Sequence, residues 1–552
     1  MRMCKSGARA DQCRIFSGVA WRLIVWEAEA FSAKSPLPLL PLCVLNTRPM
    51  SRFLPVLSLL LLFVRVSGAE ERPFGIQVVD AQSGRGVPLV TLTTTNEISH
   101  TTDSAGWIAF DEPGLMDREV YFSLKAPGYS VEKDGFGFSG TRLTPRRGER
   151  AEIRVTRTNV AERVCRLTGQ GIYRDSVLLG LEPPLPRPVL NADVTGQDSS
   201  QAVLWKNRVF WIWGDTNRPH YPLGNYHATA AWSDLPQSGG LDPVQGVHFE
   251  YLADADGKVR AMLPVKEPGA VWLFGMLVVA DTAGSEHLVA HYSRWKDLGR
   301  RLEHGLAEWD EQEGRFVRTT VLGDEFEWQH PRHHAVRARG KAADGTERDY
   351  FYFTAPFCTT RVPATYEEVM IPSSYEALAW SAEAGRHVWQ STAPPLTQDK
   401  ERQLIGEQKL PTEKALLQVA DASTGQPVEL HGGSVHWNAH RGCWIMIAVQ
   451  ENGVESHLGE VWYAEATEIE GPWRKAVKIA SHPRYSFYNP SQRPFLDQEK
   501  GRVIYFEGTY TQTFSGNTAP VPRYEYNQLL YRLDLDDPRL APARVEVSKQ
   551  AP

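Results

Sequence analysis

The stretch Val203–Thr216, "VLWKNRVFWIWGDT", decides the fold. Two runs of β-branched and aromatic residues, Val203–Leu204 and Val209–Trp213, are joined across a turn at Lys206–Asn207, and Asp215 lies just beyond the second run. The same arrangement returns in "VWLFGMLVVADTAGSEHLVAHYSRW" (Val271–Trp295), where residues 281–286 form the connector. It returns again in "HHAVRARG" with "RDYFYFTAPF", in "SVHWNAHRGCWIMIAVQ" with "EVWYAEAT", and in "PSQRPFLDQEKGRVIYFEGTY" with "NQLLYRLDL". Helix-period patterns are scarce throughout. Five degenerate units between residue 161 and residue 552 predict a five-bladed β-propeller, which hides its sheet edges radially and leaves a central channel. A two-sheet sandwich shares part of this pattern.

Upstream, residues 70–158 carry shorter strand signals at 75–79, 87–95, 106–110, 119–124 and 151–155, punctuated by Ser83–Gly84 and Asp103–Gly106. The expected fold class is therefore all-β, with a small N-terminal β-sandwich followed by the five-bladed β-propeller. The succession "VVDAQSGRGVPLVTLTT", "TTDSAGWIAFDEPGL" and "LKAPGYS" resembles the carboxypeptidase regulatory-like, transthyretin-like sandwich. That resemblance implies an accessory module, either a spacer or a surface that adheres to glycans or cells; no paired carboxylates or histidine cluster marks it as catalytic.

The longest apolar run, Phe53–Val66, is shorter than the roughly 18 or more apolar residues expected of a membrane span, with an uncleaved anchor as the alternative reading, and lies too far from Met1 for an ordinary leader. Read from Met50, it becomes the apolar core of a signal peptide over residues 50–69, with Arg52 before it and Ser67 and Ala69 at the cleavage site. Residues 1–49 then read as an upstream extension from a start codon placed too early. The expectation is a secreted or periplasmic protein with no stable membrane insertion once the leader is removed. Of the 6 cysteines in the chain, Cys165, Cys358 and Cys443 remain, too few and too dispersed for a disulfide scaffold or a CxxC metal cluster.

The 552 residues carry 60 Lys and Arg against 66 Asp and Glu, a net charge of −6, and this near-balance argues against a nucleic-acid partner. The 17 Trp, 19 Tyr and 21 Phe offer flat apolar faces suited to core packing and to sugar rings.

The stretch "GQDSSQAVLWKNRVFWIWGDT" (Gly196–Thr216), with "EIEGPWRKAVKI" and "YNPSQRPF…YFEGTY", resembles five-bladed propeller glycoside hydrolases and the DUF4185-type proteins allied to them. The resemblance covers residues 165–535 in organisation and only short motifs in identity. It implies acidic residues on the inner ends of different blades around a central pocket, with a glycan as substrate. Glycoside hydrolysis needs one carboxylic acid to protonate the leaving oxygen and a second carboxylate to attack or to activate water. Asp198, at the entry to the first inner strand, is the first candidate for base or nucleophile, and a turn cap is its plainer reading. Asp215 of the GDT motif either acts catalytically, binds a sugar hydroxyl or caps its turn. Glu507 in "YFEGTY", read as the counterpart of Asp215, and Glu327 in "EFEWQHPRHHAV" are the candidate acids; both also read as ordinary loop carboxylates, solvated or paired with arginine.

Substrate-binding candidates are Arg332 and Arg493, read as corresponding entries to the third and fifth inner strands, with forked guanidinium groups suited to hydroxyl pairs, uronates or sulfates, or equally to salt bridges with loop acids. His330, His436 and His227 join them as polar donors, and Trp328 and Tyr488 as stacking platforms. No cofactor is required by this chemistry. No HExxH or comparable spacing identifies a metal, although imidazoles from several blades could converge on a transition ion, and carboxylates could hold calcium in the channel as a structural ion. Two other functions remain open: a polysaccharide lyase using the His330, Arg332, His333 group, and a noncatalytic glycan-binding propeller. Serine-type hydrolysis is disfavoured by the absence of GxSxG.

Overall fold

The computed structural model describes residues 72–546 except 223–225, 298, 519 and 522; the segments expected as leader (50–69) and upstream extension (1–49) lie outside the described residues. Strands dominate, and the α-helices among the described residues are short, at Arg174–Leu178, Tyr366–Val369 and Gln398–Gly406. No helix of the described residues is long and apolar enough to cross a membrane. Cys165, Cys358 and Cys443 are buried free thiols.

The N-terminal segment forms two four-stranded sheets over one core. Strand Phe74–Asp80 runs antiparallel to Trp107–Phe110 and parallel to Arg150–Arg157, while Thr91–Thr94 and Val120–Lys125 centre the second sheet. The strand expected over 87–95 is shorter because Thr102 reaches into that stretch, its hydroxyl accepting from the Val90 N–H and donating to the Val87 carbonyl, which takes Val87–Val90 out of the ladder.

Beside a two-stranded ladder of Gly196–Gln197 with Thr216–Asn217, five further sheets of four or five strands follow, with inner edge strands Gln201–Trp205, Ala270–Ala280, His334–Lys341, Leu430–Asn438 and Ser486–Gln492. The first is a hairpin closed at Lys206 and Asn207, both at positive φ, the twist-compatible geometry for a two-residue reversal. Its second strand, Arg208–Trp213, is buried on both faces, and alternation sends successive side chains to different neighbours. Phe210 and Ile212 pack with Leu273 and Tyr292 of the second sheet, whereas Val209, Trp211 and Trp213 pack with Val503, Tyr505 and Leu530 of the fifth. The remaining interfaces continue the series. Leu277 and Val289 meet Phe351 and Val362; Tyr350 and Tyr352 meet Val435 and Met446; Ile445 and Tyr463 meet Phe487 and Tyr531. Five sheets with five shared cores form a closed ring.

The ring is joined by a strand from its own beginning. Glu162–Arg166, fully buried, pairs antiparallel with Asn527–Asp534 as the outermost strand of the fifth sheet, a contribution the sequence reading did not foresee. The same strand fastens the N-terminal sheets: Arg163 donates to the Pro88 and Pro127 carbonyls, and Glu162 accepts from Ser83 and Arg85.

Between the fifth and first sheets lies a buried clamp. Arg493 donates through Nε to Glu507 at 2.9 Å and through a terminal nitrogen to the carbonyl and hydroxyl of Ser200 at 2.8 and 3.0 Å. Removing Arg493 would strand the Glu507 carboxylate in the interior, at a cost of about 3–5 kcal/mol. Arg493→Ala is therefore expected to lower the urea midpoint strongly, and Arg493→Met combined with Glu507→Leu to recover most of the loss; equal midpoints for Arg493→Ala and the parent chain would contradict the clamp.

Candidate active site

The register of the first hairpin determines the chemistry at its open end. Gln197 pairs with Thr216 and Gln201 with Ile212, which sets Asp198 directly across from Asp215. Like charges facing each other on adjacent strands repel, so the surroundings must tolerate or neutralise them. The ladder is broken between these pairs, where Ser199 has positive φ. The Gly214 N–H donates to the Asp198 carbonyl, and the Asp215 N–H donates to Asp198 Oδ1 at 2.8 Å. Gly214 makes this possible, because a Cβ there would sit 2.5 Å from Asp198 Oδ1.

The two carboxyls receive different partners. Asp198 Oδ2 accepts from the Tyr488 hydroxyl at 2.8 Å, so Asp198 has donors on both oxygens. Tyr488 reaches it because the fifth inner strand shifts register between Tyr488 and Ser491, and Asn489 at that break donates to the Ser199 hydroxyl. Asp215 is nearly inaccessible and accepts from the indole N–H of Trp272 on the second sheet. Burial pushes both carboxyls above the ordinary carboxylate range. Asp198 is pulled back by Tyr488, Tyr526 and the Asp215 N–H, while Asp215, with the Asp198 charge beside it, is pushed up to about 8.

Both carboxyls open into a cavity of about 560 Å³ bordered by all five sheets of the ring. The second sheet supplies Trp272, Phe274 and Trp295, the third His334 with Arg332 and His333 just before it, the fourth His431, and the fifth Tyr488 and Asn489 with Phe514 from the loop after Val503–Thr511. Trp272 and Trp295 lie 5.5 Å apart, with the Arg332 guanidinium 5.6 Å from the Trp295 ring. Burial lowers the basicity of His333, to about 4, and of His334, helped at His333 by His431 and Arg332; His431, exposed on its strand, is lowered as well by partial desolvation.

Of the residues singled out from the sequence, Asp198, Asp215, Arg332 and Tyr488 meet in this cavity. The others lie elsewhere. Glu507 falls inside its strand, Val503–Thr511, whereas Asp215 lies past the end of Arg208–Trp213, so the two are not counterparts; Glu507 is enclosed with Arg493. Arg493 follows the fifth inner strand while Arg332 precedes the third, so these are opposite ends rather than corresponding entries. Glu327 is half exposed and paired with Arg301 and with Arg332 at 2.9 Å, and these cations hold its carboxyl below its usual range. Trp328 packs against the apolar layer between the second and third sheets. His330 is buried against His291 and His304 and bonds the Tyr292 carbonyl, and His227 accepts from the Val271 N–H. His436, on the fourth inner strand, is depressed to about 3 by burial and the Arg493 charge.

The sequence reading did not single out His431, Asn489 or Phe514 for the site. His431 sits where the fourth inner strand shifts register between Leu430 and Gly433, a break signalled by Gly432 and Gly433. Among the described residues no group of three or more His, Cys, Asp or Glu is placed to hold a metal ion.

No protein-family model and no curated protein sequence matches the chain. Among solved structures it is similar to an exo-β-1,3-galactanase from Phanerochaete chrysosporium crystallised with β-1,3-galactotriose (11% identity, 70% of this chain and 68% of that one, TM-score 0.35). It is likewise similar to an exo-β-1,3-galactanase from Clostridium thermocellum (11% identity, 64% and 61%, TM-score 0.33). A third is an α-L-arabinofuranosidase from Fusarium graminearum in complex with an iminosugar inhibitor (10% identity, 68% and 99%, TM-score 0.31).

The raised Asp215 carboxyl makes a thermodynamic prediction. The folded chain keeps a proton that the unfolded chain releases in the ordinary carboxylate range, so stability falls as pH rises from that range through about 8. Asp215→Asn, whose amide oxygen still accepts from Trp272, removes the decline. Its melting temperature is expected to exceed that of the parent chain by a margin that grows up to about pH 8 and vanishes in acid; a pH-independent difference would refute the shifted carboxyl.

Proposed function

We propose that the chain is a glycan-acting hydrolase in which the closed ring of sheets is a five-bladed β-propeller, preceded by an accessory β-sandwich over residues 70–158. The observation that carries the reading is the pair Asp198 and Asp215, held face to face in an aromatic-walled cavity with unequal donor sets. Two carboxyls whose environments push their proton affinities apart provide one acid and one base in the same site. Asp198, with donors to both oxygens, is the group kept ionised and serves as base or nucleophile. Asp215, with one indole donor and an anion beside it, retains the proton and serves as acid. Trp272, Trp295 and Phe514 offer flat faces for a sugar ring, and Arg332 offers a fork for hydroxyls. The leader read at residues 50–69 fits work on an extracellular or periplasmic glycan. No organic cofactor enters this chemistry, and a structural calcium ion remains a proposal of the sequence alone.

One observation favours a second reading. Arg332, His333, His334 and Tyr488 share the cavity, and burial lowers the basicity of both histidines. An imidazole base beside an arginine is the equipment for removing the proton α to a uronate carboxylate; the carbon–oxygen bond to the leaving sugar then breaks, its oxygen takes a proton from Tyr488 or water, and an unsaturated product remains, as in a lyase.

The test is turnover of a panel of neutral, acidic and sulfated glycans, following reducing ends and unsaturated-uronate absorbance together. Hydrolysis predicts reducing ends without unsaturation, with Asp198→Asn and Asp215→Asn each lowering kcat/KM by about 10²–10⁴-fold. Tyr488→Phe removes a donor that favours the ionised Asp198, so the acid limb of the pH–rate profile is expected to move to higher pH. Unsaturated products with unchanged turnover in Asp198→Asn would transfer the assignment to the lyase.

A further inference from the structure

Beside the main cavity lies a second, of about 450 Å³, between the third and fourth sheets. Both volumes fall within the roughly 300–1,000 Å³ typical of ligand pockets. The two share Arg332 and His333 as a common wall. Arg332 is held at this boundary from both sides, donating to Glu327 at 2.9 Å and lying over the Trp295 ring.

The chemistry of the second cavity differs from that of the first. Its lining includes Glu327, Asp399, Glu429 and Glu451; Glu327 is paired with Arg301 and Arg332, and Asp399 and Glu429 share Arg402, which leaves Glu451 as the carboxylate with no ion pair among the described residues. His330 also lines it, and its protonation is fixed by geometry. Nε2 lies 2.9 Å from the Tyr292 carbonyl, which can only accept, so Nε2 carries the hydrogen and Nδ1 is left as a lone-pair acceptor. That Nδ1 is buried without a partner, in a side chain only 2% exposed. A buried acceptor with nothing to accept from is costly, and a hydroxyl donor would relieve it. An anionic group would meet the unpaired Glu451 carboxylate, with the neighbouring cations already engaged by Glu327, Asp399 and Glu429.

We propose that the second cavity is a subsite for the continuation of the glycan chain held in the main cavity, and that the unit it takes is hydroxyl-rich and uncharged rather than a uronate or a sulfated sugar. The inference rests on the hydrolase reading for the identity of the chain in the first cavity. Arg332 and His333 then contact the substrate at the junction of the two subsites, and the preferred substrate is a neutral oligosaccharide long enough to span both. A homopolymeric polyuronate would place a carboxylate in each cavity and is disfavoured by the second.

The experiment uses the chain from Glu70 to Pro552 with gluco-, xylo-, manno- and galacto-oligosaccharides from dimer to hexamer, and oligogalacturonates of the same lengths as the anionic series. Turnover gives the ratio of kcat/KM for hexamer over dimer, and calorimetry gives binding. The expected result is a ratio of at least about tenfold on one neutral series, falling towards one in His330→Phe, which lacks the acceptor. Glu451→Arg, which inverts one wall charge, is expected to strengthen oligogalacturonate binding at least about fivefold and serves if His330→Phe fails to fold. Turnover of a neutral series with no length dependence would overturn the subsite while leaving the hydrolase standing. Absence of turnover on every series would overturn the hydrolase for these glycans; length-dependent neutral binding lost in His330→Phe would still support the subsite, and length-independent binding would overturn it. Parent-chain preference for the anionic series at hexamer length would overturn the neutral assignment.

Discussion

Closure of the ring is the constraint on which the rest depends. An open array of five sheets would leave the outer face of the first and of the last exposed, including Trp211 and Trp213 on one side and Tyr505 and Leu530 on the other. Burying those faces against each other contributes one of the five interfaces and brings Tyr488 of the fifth inner strand to Asp198 of the first. The Glu162–Arg166 strand completes the last sheet from the other end of the ring, so unzipping it exposes a sheet edge and loosens the attachment of the N-terminal sheets at once. The clamp of Arg493 on Glu507 and Ser200 crosses the same seam. Glu507 thus contributes to the site indirectly, by holding the strands that carry it.

Closure leaves a channel at the centre, and the inner strands are irregular where they line the cavity. The first is interrupted at Ser199, and the second shifts register between Phe274 and Leu277, the fourth between Leu430 and Gly433, and the fifth between Tyr488 and Ser491. The third begins only at His334, immediately after Arg332 and His333. Each break turns a side chain out of the alternation that would otherwise send it into an inter-sheet core. Phe274, His431, Tyr488 and Asn489 all come from such positions. Rigid sheets therefore position the site, and local departures from regularity aim it.

Much of the architecture was legible because strand signals survive weak repetition. The five hairpin units, the scarcity of helix and the small upstream sheets follow from runs such as Val209–Trp213 and the turn at Lys206–Asn207. The closing strand was not legible: Glu162–Arg166 reads as a mixed charged segment and becomes a buried strand only through a partner more than 360 residues away. The site was legible in part, and the information for more was present. A two-residue turn at Lys206–Asn207 by itself sets Asp198 opposite Asp215, which is a stronger argument for a pair than the shape of the GDT motif. Glu507 and Arg493 misled because a carboxylate and an arginine near strand ends look the same whether they face a channel or each other. Burial decides, and burial is a property of the neighbouring sheet.

The cross-strand position of Asp198 and Asp215 has a chemical consequence that separate blades would not give. Carboxyls on different elements can ionise independently if their spacing allows it, whereas these two share one hairpin and a direct link, the Asp215 N–H donating to Asp198. Ionising Asp198 therefore raises the proton affinity of Asp215 at once, through the charge placed beside it. The two donors reaching Asp198 and the single indole donor on Asp215 bias which of them carries the shared proton, and Tyr488 and Trp272 deliver that bias from the fifth and second sheets. Those sheets flank the first on either side of the ring. The order of proton loss in the pair is thus set by how the ring closes rather than by the hairpin that contains it.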